Sequence, residues 1–115
     1  METGTSVFMQ RILEQVDELE REIGRSRADW ERKKGTFHDE GYVYRENLAL
    51  LDEELRGVRV TRSALAAMDV SAFATLAALK EKVIAELERR YRESVLMRSG
   101  IAIILGRGRR MPACL

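Results

Sequence analysis

The one proline among the 115 residues is Pro112. From residue 1 to residue 111, nothing imposes the ring clash and missing backbone donor that break a helix. The one cysteine, Cys114, excludes an internal disulfide framework and a cysteine-rich zinc site. The one histidine, His38, leaves any metal site short of imidazole ligands. Aromatics are scarce, at 6%. The longest apolar run, residues 101–105, is far short of the roughly 20 residues that a membrane span needs. The opening METGTSVFMQ has no basic segment followed by an apolar one. No secretory signal is expected, and the chain reads as soluble and cytoplasmic.

Hydrophobic residues make up 45% of the chain and charged residues 34%. High values of both suit amphipathic helices with wide solvated faces, and the apolar share is too high for a disordered chain. The strongest pattern lies in residues 44–65. Tyr44, Leu48, Leu51, Leu55, Val58 and Leu65 recur at alternating spacings of four and three, with Arg62 filling one apolar slot. That is a heptad seam. Arg62 and Gly57 mark its second half as the weaker one. This helix is expected to be the central element, with two others packed beside it.

Before the seam, Met9, Ile12, Val16, Leu19 and Ile23 form an amphipathic stripe that Trp30 resumes. They predict a first helix of about 28 residues, about 42 Å long, with Ser6 as its N-cap. Residues 35–41 (GTFHDEG) break it, so the second helix, from about Tyr42 to Met68, is expected to run back beside the first. Gly24 and Gly57 are weak points within these helices. A third helix is predicted from about Val70 to Arg98, capped by Asp69 or Ser71, or continuous with the second through a kink. Its early alanines (Ala72, Ala74, Ala77, Ala78) suit close approach by another helix. Ile101, Ile103 and Ile104 read as a helical extension or a short strand. The last ten residues are expected to be mobile unless a partner orders them. The fold class is all-α: three long helices in an antiparallel coiled-coil-like bundle over residues 1–98, open to completion by dimerisation, with a basic, flexible tail over residues 99–115. Leu48, Leu51, Leu55, Val58, Leu76 and Leu87 are the expected packing positions.

Charge is unevenly spread. Residues 1–88 carry 13 Lys/Arg and 18 Asp/Glu, a net −5, whereas residues 89–115 carry seven Arg and one Glu, a net +6. Arg89, Arg90, Arg92, Arg98, Arg107, Arg109 and Arg110 therefore make the tail a candidate for phosphate contacts, although it lacks interleaved aromatics. An acidic protein, an anionic membrane surface and simple solubilisation are the alternatives. The aromatics beside the first loop, Trp30, Phe37, Tyr42 and Tyr44, are candidate interface anchors, or seal one end of the bundle. His38-Asp39-Glu40 reads as a solvated loop and Asp52-Glu53-Glu54 with Glu46 as a solvated face, because consecutive acids on a helix diverge. Cys114 is not fourth from the end, as a prenylation box requires. With no phosphate loop, nucleophile elbow or usefully spaced carboxylate pair, no catalytic, cofactor or metal residue is expected.

Gln10-Arg11-Ile12 early in the first helix, and Tyr42 with Leu51-Asp52 in the second, resemble tubulin-binding cofactor A, a small three-helix chaperone. The likeness covers roughly residues 9–52, and the third helix and basic tail depart from it. Small helical secretion chaperones share the same general look. The resemblance implies a helical chaperone. From the residues themselves we expect a non-enzymatic adaptor, chaperone or assembly factor that binds a protein partner or itself, most simply as a dimer, through an apolar helical stripe. The rival expectation is a nucleic-acid-binding module that works through the arginine tail, and a small helical enzyme is a weaker third.

Overall fold

A computed structural model describes residues 3–33, 41–93 and 98–111, apart from the side chains of Tyr42, Arg98 and Ser99. Four helices account for nearly all of them: α1 (Gly4–Arg32), α2 (Gly41–Ala66), α3 (Leu76–Glu93) and α4 (Arg98–Arg110). They pack as an elongated all-helical bundle of 58 × 28 × 23 Å. The expectation of three long helices is corrected. The third helix starts later, and a fourth follows it.

Local chemistry explains the altered boundaries. Thr3, not Ser6, caps α1, its hydroxyl accepting from the Ser6 N–H at 3.1 Å. Beyond α2, Asp69 accepts from Ser71 N–H at 3.1 Å and from its hydroxyl at 2.6 Å, but the helix it opens is a single 3₁₀ turn, Val70–Ala72. Extended backbone at Phe73 ends that turn. Thr75 then caps α3 by accepting from Ala78 N–H at 3.1 Å. The α2–α3 junction is thus a turn and not a kinked continuous helix. Ala72, Ala74, Ala77 and Ala78 are exposed and do not pack against another helix among the described residues.

Residues 98–110, expected in a flexible tail, form α4. Its apolar residues Ile101, Ile104 and Leu105 join the core, and no strand forms there. The glycines let it lie close to α1. A Cβ on Gly100 would stand 2.7 Å from Leu19 Cδ1, and one on Gly108 would stand 3.4 Å from Ile12 Cδ1. None of the described glycines has positive φ, so these two serve close approach and not an unusual backbone conformation. Lys80 on α3 holds the end of α4, donating to the carbonyls of Arg109 at 3.0 Å and Met111 at 2.5 Å, where a helix terminus favours a cation.

The central helix is α1, not α2. It packs against all three other helices and the 3₁₀ turn, and Phe8, Ile12 and Val16 are essentially inaccessible. Three cross-helix ion pairs set the α1–α2 register: Asp17–Arg62 at 2.6 Å, Glu20–Arg59 at 2.8 Å and Arg27–Asp52 at 2.6 Å. As the α1 number rises, the α2 number falls by the same amount, so these two helices run in opposite directions.

The α2 seam is also corrected. Its second half, Leu55, Val58 and Leu65, is buried, whereas Leu48 and Leu51 in its first half are only half-buried. Arg62 leaves the core to meet Asp17, and Thr61 is buried instead, its hydroxyl donating to the Gly57 carbonyl at 2.8 Å. The α1–α2 register places Leu48 and Leu51 opposite Glu31 and Ala28, which offer little apolar surface. Arg90 and Glu93 in the last turn of α3 lie level with Glu53 to Gly57, so the first half of α2 extends past α3.

Two predictions follow from this packing. Val58→Asp should cost several kcal/mol, about 3 or more, and Leu51→Asp clearly less, as read by urea denaturation. Gly24→Ala, with open space around the new methyl group, should stabilise by about 1 kcal/mol. Gly100→Ala should gain less, because Leu19 must move.

Candidate interaction surface

The amphipathic pattern of α2 is broken on its outer side. Val43 is 46% exposed, Leu50 41% and Val60 46%. Positions 43, 50, 57 and 64 repeat at seven, so Val43, Leu50, Gly57 and Ala64 share one stripe, with Val60 beside it. Toward α3, the stripe borders a groove of about 290 Å³ lined by Glu53, Arg56, Gly57, Val60, Thr61, Arg90 and Glu93. Glycine at 57 keeps the floor of this groove low. On the other side Asp52, Leu55, Arg56, Arg59, Val60 and Ser63 line a shallower hollow.

Charged side chains frame the groove. Glu86 accepts from Arg89 at 2.6 Å and from Arg90 at 3.1 Å, and the Arg89 hydrogen bond, followed by that of Arg90, holds its carboxyl below its ordinary range. Arg56 pairs with Glu53 one turn before it. Burial pushes the Glu54 carboxyl up, and among the described residues no cation pairs with it. Farther along, Arg27 lowers the carboxyl of Asp52 through their hydrogen bond.

The expected interface residues are scattered. Trp30 is half-buried near the end of α1, and Tyr44 is 9% exposed, a packed side chain and not an open anchor. Phe37 and His38 lie outside the described residues, as does the side chain of Tyr42. Arg98 opens α4, with its side chain likewise not described. Arg107 donates to the Gln15 side-chain oxygen, and Arg109 pairs with Glu88 on α3. Arg110 is exposed, its guanidinium lying over Gly106. The basic segment is therefore partly used to fasten α4 to α1 and α3. Sequence reasoning missed the α1–α2 ion-pair ladder, although aligning the two helices antiparallel exposes the Asp17–Arg62 match.

A concavity of about 1000 Å³ lies at the other end of the bundle, where Thr3 to Ser6 face residues 69–71 and 73–77. It is broad and open. The hydroxyls of Thr3 and Thr75 and the carboxylate of Asp69 are engaged in capping. Among the described residues no group of three or more His, Cys, Asp and Glu side chains is placed to hold a metal, and no helix is long and apolar enough to cross a membrane. Protein-family models, curated proteins and solved structures all lack a match to this chain. The likeness to tubulin-binding cofactor A gains no support from these comparisons, and four helices depart from that family's three.

The two shifted glutamates predict opposite pH effects. The folded pKa of Glu86 lies below its ordinary 4.5, so its stabilisation is complete above that value and lost as pH falls through the folded pKa. Glu86→Gln should cost about 1 kcal/mol at pH 7 and flatten the loss of stability toward acid. For Glu54 the folded pKa is raised, so the carboxylate opposes folding once pH passes upward through that range. Glu54→Gln should raise the neutral-pH thermal midpoint slightly, whereas a lower midpoint would contradict this account.

Proposed function

We propose that this chain is a non-enzymatic helical interaction protein of the cytoplasm, an adaptor, small chaperone or assembly factor. It binds a protein partner or a second copy of itself through the outer face of α2. The carrying observation is the stripe of Val43, Leu50 and Val60, three large apolar side chains held at 41–46% exposure on a helix whose opposite face is packed. Isolated exposed apolar residues are ordinary, but a stripe in heptad register beside a groove is what a coiled-coil partner requires. In this reading the α1–α2 pair is a coiled-coil-like hairpin that is completed by another helix. Both a chaperone and an adaptor would use the surface in the same way.

A second reading is favoured by α4, whose thirteen residues hold four arginines and no acid. Arg107 reaches only the neutral Gln15, and no described carboxylate pairs with Arg110, so positive charge remains for a nucleic-acid backbone. Steep salt dependence of RNA or DNA binding, lost in Arg107→Gln/Arg110→Gln, would support it.

Leu50→Asp and Val60→Asp test the leading reading. Both sites are exposed in the single chain, so each variant should remain folded, with the parent's helical circular dichroism. Each should lose association, measured by light scattering of the purified chain and by recovery of a defined partner. Variants that associate like the parent chain would sink the proposal.

A further inference from the structure

The charge along α2 is polar. Residues 41–54 hold one arginine and four acids, a net −3, and residues 55–66 hold three arginines and no acid, a net +3. Asp52, Arg59 and Arg62 meet α1, which leaves Glu46 and Glu53 against Arg56 on the outer side, and that remainder still complements its own reverse. A neighbouring copy laid antiparallel sets each acidic half against a basic half, whereas a parallel copy sets like against like. Four acids on the same helix disfavour a nucleic acid or an anionic membrane on this face.

We propose that the outer face of α2 binds α2 of a second copy of this chain, antiparallel, about a twofold axis near residue 55. This inference rests on the α2 face being the interaction surface and names its occupant.

One register satisfies both the apolar and the charged positions. With paired residue numbers adding to 110, Leu50 lies opposite Val60 of the second copy and Glu53 lies opposite its Gly57, diagonally next to its Arg56. The second copy's Leu50 then enters the groove between α2 and α3, beside Gly57 and Val60, where the absence of a side chain on Gly57 leaves room. Ala64 faces Glu46 of the second copy and Ala67 faces its Val43, so the ends of the contact are small enough for the helices to close. Glu53 and Arg56 already pair within one chain and are both well exposed, at 57% and 65%. In the dimer they exchange that neighbour for one across the axis, and the twofold operation makes each exchange twice.

The test uses the full chain in sedimentation equilibrium over a range of concentrations. The parent chain should be a dimer, and Leu50→Asp a monomer that keeps the parent's helical circular dichroism. Glu53→Lys and Arg56→Glu each place like charges across the axis twice, and each should weaken the dimer about tenfold. An equimolar mixture of those two variants should recover the parent affinity as a heterodimer, since every cross-axis pair is again of opposite sign. Charge pairing within one chain predicts no such recovery. Weakening without recovery in the mixture overturns the antiparallel register. A parent chain monomeric at all concentrations overturns the second copy as occupant while leaving the face open to a foreign partner. A dimer indifferent to Leu50→Asp overturns the face itself.

Discussion

The fold depends on burying one stripe of α1. Phe8, Ile12 and Val16 are sealed where α2 on one side and the α3–α4 pair on the other close over α1, the one helix that meets all three others. Helices of 13 and 18 residues, such as α4 and α3, are marginal alone in water. Packing against each other and onto α1 supplies the apolar burial that makes them stable. The same demand accounts for Gly100 and Gly108, where α4 must come down onto Leu19 and Ile12.

Electrostatics then selects among the packings that hydrophobic burial permits. The Asp17–Arg62, Glu20–Arg59 and Arg27–Asp52 pairs are individually weak, being at least partly solvated. As a series they favour one register, because sliding α2 by a turn in either direction leaves Arg27 without an acid opposite it. The excess positive charge of residues 89–115 acts similarly. Arg109 meets Glu88 and Arg107 meets Gln15, so part of the basic segment fastens α4 to the acidic body. Charge asymmetry along the chain, which suggested an external anionic partner, has a partial explanation inside the molecule.

The organisation of α2 links packing to association. Its C-terminal half is held by α1 and α3, and its N-terminal half runs past the end of α3 with Leu48 and Leu51 incompletely covered. The exposed Val43, Leu50 and Val60 lie on a different face from that seam. A helix with two apolar faces needs two neighbours, and the described part of the chain leaves the second face open. That geometry carries the proposed function, with the nucleic-acid reading confined to α4.

Much of this was legible in the residues. Period-3.6 stripes without proline determine helices, because only that spacing gathers apolar side chains on one side of an uninterrupted backbone, and α1 and α2 fall close to their expected bounds. Asp69 was legible as a cap. Tertiary structure decided the rest. Whether Leu51 or Val58 is the buried position depends on what α1 places opposite, and Ala28 and Glu31 are poor partners. Whether Ile101, Ile104 and Leu105 form a loose tail or a core helix depends on a slot on α1 that Gly100 and Gly108 can enter. Periodicity reports which side of a helix is apolar; only the packed neighbours determine how much of that side is covered.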